Sequence, residues 1–185
     1  LLSPYTFTNY KKIKENTFYM IISQGGESIN SIEAMEYLKK NGQLAVGVTG
    51  NVNSSLKDHA DIVIDYVGEE KVGYVTKGVV TLILFLDLFA VYIGKNNILS
   101  EEETVKELKY IQRAISYYPI VCEKSYKFIE DNYARLSIMK QSYVIGNETC
   151  FGIANEAALK IGETICIPSS AHESEEFLHG PNLQL

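Results

Sequence analysis

Glu156, Lys160 and Glu163 stand at i, i+4 and i+7 in the run I-A-N-E-A-A-L-K-I-G-E. The Ala, Leu and Ile spacing there predicts a helix over Ile153–Glu163, and that helix carries the three charged residues on one narrow stripe. Two carboxylates around an ammonium can move a proton next to a carbonyl. One carboxylate then serves as base while the ammonium steadies the developing oxyanion. The same stripe also reads as a solvent-facing ion pair worth roughly a few tenths of a kcal/mol, and spacing alone favours that plainer reading. The short apolar run Ser142–Ile145 predicts a buried strand just ahead of it. Gly146–Gly152 then reads as a strand-to-helix turn whose backbone N–H groups can meet an anion.

A second anion-binding candidate lies upstream. Thr17–Ile22 (T-F-Y-M-I-I) predicts a buried parallel strand. It leads at once into Ser23-Gln24-Gly25-Gly26-Glu27-Ser28 and a helix over Ile29–Lys40. A glycine-containing hydroxyl loop at a helix N-terminus is a nest for an anion, or else a turn with a serine N-cap. The GK[ST] signature of a nucleotide loop is absent, so a monophosphate fits better than a nucleotide.

These two stretches together resemble the sugar isomerase (SIS) domain enzymes. The motif E-x-A-L-K-x-x-E over Glu156–Glu163 is followed by E-F-x-H-G-P, with His179 sixteen residues after Glu163. This is similar to the isomerase half of glucosamine-6-phosphate synthase and to fructosamine-6-phosphate deglycases. The resemblance implies that Glu163 shuttles a proton between C1 and C2 of a sugar. It implies that Lys160 assists at the sugar oxygens and that His179, supplied by a partner subunit, opens the ring. Glu156 then supports the motif. In the first half the family's S-Q-S-G-E-T phosphate loop corresponds to Ser23, Gln24, Gly25 and Ser28, with Gly25 where the family has a hydroxyl. The segment E-K-V-G-Y-V-T-K from Glu70 to Lys77 resembles the family's E-x-G-V-A-S-T-K, which implicates Thr76 and Lys77 in binding. Its glycine is shifted by one, and Val75 replaces a sugar-contacting serine. A plain helix start remains open for Thr76 and Lys77.

The elements that must position these residues follow an α/β order. Leu44–Thr49 predicts a buried strand, Asn51–Ser55 a polar loop capping a short helix through His59, and Asp61–Val67 an alternating strand. Val79–Gly94 reads as a buried helix, because it is short for a membrane span and carries Asp87 in its middle. Leu1–Asn16 reads as an irregular, solvated connector. A helix beginning at Ser100–Glu103 is expected to break near Pro119 and resume through Met139. Strands alternating with helices suit parallel sheets covered on both faces, with ligands beyond the strands' carboxyl ends. The resemblance implies two flavodoxin-like SIS subdomains. Residues 1–98 would be the first, 99–140 a helical connector and 141–185 the start of the second, with the chain truncated at both ends relative to the family.

Composition narrows the function classes. The 185 residues are 46% hydrophobic and 22% charged, an ordinary balance for a globular protein. A net charge of −6 with no basic cluster argues against nucleic acid as a partner, and no membrane partner is expected. Cys122, Cys150 and Cys166 lack CxxC spacing, which suits a reducing, cytoplasmic compartment. His59 reads as a surface residue and His172 as a polar loop residue. His172-Glu173 with His179 is not H-E-x-x-H, so no metal site is expected, and the chemistry calls for no cofactor. The expectation is an enzyme for a sugar phosphate or amino-sugar phosphate, an isomerase or deglycase working through an enediol-like intermediate. The implied assembly is a homodimer. The alternative is a phosphosugar-binding sensor that does no chemistry.

Overall fold

The computed structural model describes residues 2–71 and 73–184. Leu1, Val72 in the Glu70–Lys77 segment, and Leu185 lie outside the described residues. The chain divides into two compact units, Leu1–Gln112 and Arg113–Leu185.

The first unit opens with a helix, α1 (Pro4–Tyr10), where a solvated connector was expected. Ser3 caps it, its Oγ accepting from the Thr6 N–H at 3.2 Å, and Pro4 occupies the first turn. A proline there loses no hydrogen bond. Phe7 on this helix is buried and meets the rings of Tyr19 and Tyr37 with centroids 5.4 and 5.6 Å away. One apolar anchor and an N-cap are enough to fasten a stretch that looks irregular by composition.

Strands β1 (Met20–Ile22), β2 (Val46–Thr49) and β3 (Ile62–Asp65) form a parallel sheet in that order. Met20 pairs with Val46, and Val46 with Ile62. Helix α2 (Ile29–Lys40) links β1 to β2, and the single turn α3 (Leu56–His59) links β2 to β3. Every residue of central β2 is buried, as expected for a parallel strand flanked on both sides and covered on its faces. At Gly47 an added Cβ would stand 2.4 Å from Leu56 Cδ2 and 2.9 Å from Met35 Cε. The glycine therefore lets both connecting helices close onto the sheet. The core is Ile21, Ala34, Met35, Leu38, Ala45 and Leu56, joined by Phe7.

Helix α4 (Lys77–Lys95) extends the expected Val79–Gly94 helix, but it is not buried. Of its described residues only Gly78 and Gly94 are buried, while Val80, Ile83, Leu86, Leu88, Tyr92 and Ile93 are exposed. Its mean hydropathy of 1.9 and its 19 residues make it long and apolar enough to cross a membrane by length and composition. Apolar content reports what a surface favours, and much of the apolar surface of α4 is exposed.

Helix α5 (Glu101–Leu136) begins in the first unit and ends in the second. Ser100 and Glu103 bond reciprocally at its start: Ser100 N–H donates to Glu103 Oε2 at 2.9 Å, and Glu103 N–H donates to Ser100 Oγ at 3.2 Å. This is a capping box. The expected break at Pro119 does not occur, and the proline sits inside one continuous helix. Proline removes a single i to i−4 bond, and here intact turns on both sides span the gap.

In the second unit β4 (Ser142–Ile145) and β5 (Ser169–His172) pair in parallel, Ser142 with Ser169 through Ile145 with His172. Helix α6 (Thr149–Ile165) crosses between them and α7 (Ser174–Leu178) follows. Helix α6 starts four residues ahead of the expected Ile153, so Gly152 is helical and only Gly146 belongs to the turn. His172 is the last residue of β5, not a loop residue. Its Nε2 lies 2.9 Å from Ser170 Oγ and its ring packs on Tyr143 and Phe177.

Candidate functional site

The residues singled out from the sequence fall into two groups, one on each unit. In the first, β1 delivers the chain directly into the Ser23–Ser28 loop. Ser23 N–H donates to the Val48 carbonyl at 2.9 Å, carrying the sheet pairing one residue past β1. The Gln24 carbonyl accepts from Gly50 N–H at 3.0 Å and from Thr49 Oγ1 at 3.1 Å, while Gln24 Nε2 donates to the Gly68 carbonyl at 2.5 Å. Backbone and side chain of Gln24 thus tie the ends of β1, β2 and β3 together.

Gly25 is exposed, and nothing lies within 4 Å of where its Cβ would stand. Gly26 is the opposite case. Its φ of +71° suits glycine, and a Cβ would fall 1.8 Å from Ser54 Oγ. Ser28 occupies the N-cap of α2 with extended backbone but makes no side-chain bond to the first turn. Its hydroxyl is exposed beside N–H groups that have no acceptor within the helix, an arrangement that suits an anion.

A cavity of about 710 Å³ opens beyond the carboxyl ends of the three strands, where ligands of open α/β sheets sit. Gln24 and Gly25 line it from the first loop and Gly50–Asn53 from the second. Asp65, Val67, Glu69, Glu70 and Gly73–Val75 line it beyond β3. Of the sequence candidates on this unit, Gln24 and Gly25 are on that wall, and Ser23, Ser28, Thr76 and Lys77 are not. Sequence reasoning missed Asn51, Asn53 and Asp65. The signal available was positional, since each follows or ends a strand of the sheet.

Thr76 and Lys77 mark the start of α4. The cap of that helix is Glu70, whose Oε1 accepts from Thr76 N–H at 2.5 Å and Gly78 N–H at 2.7 Å. Thr76 Oγ1 adds a contact at 3.3 Å to Oε2. These bonds, that from Gly78 foremost, hold the Glu70 carboxyl below the usual glutamate range. Lys77 is exposed, the first residue of the helix.

In the second unit, α6 brings Glu156, Lys160 and Glu163 into one cluster. Lys160 Nζ lies 2.7 Å from Glu163 Oε2 and 3.5 Å from Glu156 Oε1. Glu156 and Lys160 are half-buried, and Glu163 is exposed. The hydrogen bond to Glu163 raises the Lys160 ammonium above its ordinary range against an opposing cost of burial, and the charge of Glu156 adds to the rise. Lys160 is therefore a cation and hydrogen-bond donor at neutral pH, while Glu163 keeps a second carboxylate oxygen for another partner.

His179 follows α7 as its C-cap, exposed, with its N–H donating to the Glu176 carbonyl at 3.2 Å. Asn147 fixes the start of α7, accepting through Oδ1 from Ser174 N–H at 2.9 Å and donating through Nδ2 to Ser174 Oγ at 2.9 Å. Among the described residues no group of three His, Cys, Asp or Glu side chains is arranged to hold a metal.

Comparison with known proteins identifies the first group's setting. Residues 6–92, from within α1 through most of α4, match the SIS domain family. The chain is 27% identical over 170 residues to the glutamine–fructose-6-phosphate aminotransferase (isomerizing) of Clostridium tetani, covering 91% of this chain and 28% of that protein. The Pyrobaculum aerophilum aminotransferase is 29% identical over 163 residues, covering 86% of this chain and 26% of its own length. Among solved structures, a Clostridium difficile 630 protein provisionally described as a phosphosugar isomerase is 33% identical. It superposes with a TM-score of 0.89 over 97% of this chain and 52% of its own. The C-terminal domain of glucosamine-fructose-6-phosphate aminotransferase from Francisella tularensis shares the fold, with a TM-score of 0.87 at 24% identity over 98% of this chain and 52% of that one. The chain thus spans little more than a quarter of these aminotransferases and about half of the solved relatives.

Proposed function

We propose that the chain belongs to a double SIS-domain enzyme that isomerises or deglycates a sugar phosphate or amino-sugar phosphate through an enediol-like intermediate. The observation that carries this reading is the Glu156–Lys160–Glu163 cluster, because a half-buried ammonium hydrogen-bonded to a carboxylate is poised to share a proton-transfer step with it. In the reading, Glu163 moves the proton between C1 and C2. Lys160, cationic at neutral pH, stabilises charge on the sugar oxygens. His179 opens the sugar ring from a partner subunit of a homodimer. Ser23, Gln24, Gly25 and Ser28 bind the phosphate, assisted by Thr76 and Lys77, and Glu156 holds Lys160 in register. No metal or organic cofactor takes part, since these groups suffice for a cis-enediol.

The free Ser28 hydroxyl and the open side of Gly25 support a phosphate grip at the first loop. The SIS match runs through Tyr92, which supports α4 as a helix of an α/β domain in a cytoplasmic protein and not as a membrane span. Relatives named for aminotransfer with isomerisation support the substrate class. The second reading, a phosphosugar sensor without chemistry, would leave the cluster on α6 without a task.

The test is C1/C2 proton exchange in D2O, followed by NMR, with fructose-6-phosphate, glucosamine-6-phosphate and fructosamine-6-phosphate adducts. Exchange with one of them, reduced by about a thousandfold in Glu163→Gln, is the expected result. Binding without exchange would favour the sensor, and full exchange in Glu163→Gln would remove Glu163 from the mechanism.

A further inference from the structure

Two loops frame the cavity of the first unit, Ser23–Ser28 after β1 and 50–55 after β2, and one side chain joins their far ends. Glu27 accepts from Ser55 N–H at 2.9 Å and from Ser55 Oγ at 2.5 Å. Beside it, Leu56 N–H donates to the Gly26 carbonyl at 3.0 Å, and Gly26 packs on Ser54 too closely to admit a side chain. Ser54 itself is buried and donates to the Asn51 carbonyl at 2.6 Å. At their near ends the loops are joined through the Gln24 carbonyl. Between these two fastenings lies Gly25, which has no side chain and nothing within 4 Å of its Cβ position.

A loop with two glycines in succession has much conformational freedom to lose, and its N–H groups can serve an anion only if they already point the right way. Glu27 is also an acid in a loop that is to receive an anion. Left free, its charge would oppose binding; bonded to both donors of Ser55, it is engaged outside the loop. The Ser55 hydroxyl bond, then the Ser55 N–H, keeps the Glu27 carboxyl below the usual glutamate range, so the bonded form is the carboxylate at neutral pH.

We infer that Glu27 is a positioning residue of the anion site: by gripping Ser55 it sets the Ser23–Ser28 loop, with its bare Gly25, in the shape that receives a phosphate. The inference rests on the phosphosugar reading above and deepens it. It implies that Glu27 touches no substrate atom, and that its removal weakens phosphate binding while leaving proton transfer in the bound complex intact.

The experiment uses the intact protein and its Glu27→Ala, Glu27→Gln and Ser55→Ala variants. Calorimetry reads binding of inorganic phosphate and fructose-6-phosphate, and deuterium exchange is read with the exchanging sugar at saturation. Glu27→Ala is expected to weaken both ligands by about tenfold, the worth of a charge-assisted pair of bonds. The saturated exchange rate should stay within about twofold, since a group that acts on binding alone raises KM and spares kcat. Glu27→Gln, which retains one acceptor oxygen, and Ser55→Ala, which retains the backbone N–H, should fall between wild type and Glu27→Ala. A general loss of structure would instead lower binding and saturated rate together, and that outcome overturns the inference. If Glu27→Ala does not fold, the two milder variants decide, and wild-type affinity in both overturns it. Wild-type affinity in a folded Glu27→Ala overturns this inference alone. Failure of the unaltered protein to bind any phosphate ligand overturns the phosphosugar reading and this inference with it.

Discussion

At the residue scale, Gly25 and Gly26 show how neighbouring glycines answer different demands. Gly26 is fixed by its positive φ and by Ser54 against it, whereas Gly25 faces open space with ordinary backbone. Replacing Gly25 with serine is therefore expected to leave thermal stability unchanged while adding a donor to the loop. One extra hydrogen bond should tighten fructose-6-phosphate by about threefold in a calorimetric titration; Gly26→Ser should instead destabilise the fold. The sequence made Ser23, Gln24 and Ser28 visible because hydroxyl and amide types stand out beside glycines. It did not make Glu27 visible as more than an acid in the loop, because its partner Ser55 is 28 residues away. Nor could spacing decide between an idle ion pair and a working cluster on α6. The periodicity placed Glu156, Lys160 and Glu163 on one stripe, but the 2.7 Å bond between Lys160 and Glu163 and the partial burial of Lys160 are properties of packing.

At the element scale, the continuous apolar run of β2 was legible because a parallel strand buried on both faces needs little alternation. Strand β5 was not, since S-S-A-H is polar and short. Its place is set by its pairing with β4 and by the rings of Tyr143 and Phe177 on His172. Helix α4 was read correctly as a helix and wrongly as buried. Its start also has a cap the sequence hid, since Glu70 reaches Thr76 and Gly78 from outside the usual capping window. Because folding lowers the Glu70 pKa, the cap stabilises the unit fully above the ordinary glutamate value of 4.5 and loses that contribution as pH falls through the lower folded value. Glu70→Gln should thus lower the melting midpoint by a few degrees at neutral pH. Scans repeated in increasing acid should show the wild-type advantage vanish below that range.

At the scale of the whole molecule, the family resemblance foresaw parallel sheets flanked by helices, and the structure has them on both units. The resemblance also assigns His179 to a neighbouring subunit, an assignment that can be tested by mixing inactive variants. Glu163→Gln and His179→Ala proteins, each inactive, should regain about a quarter of wild-type exchange when unfolded and refolded together. Half of a random mixture is heterodimer, and one of the two sites in each heterodimer is then intact. No recovery would place both residues in one subunit. What composition could not supply was the coverage of each apolar surface. Burial depends on which elements meet, and α4 and β2 are both apolar while only β2 is enclosed.

That contrast sets a clock for solvent. Strand β2 has no exposed residue and a bonded neighbour on either edge, so the amides of Val46 and Val48 can take up deuterium only when the first unit opens as a whole. The more hydrophobic α4 exposes much of its length and can open turn by turn. In a mass-resolved labelling series the most oily segment of the chain should fill early, and the four-residue centre of the sheet should fill last.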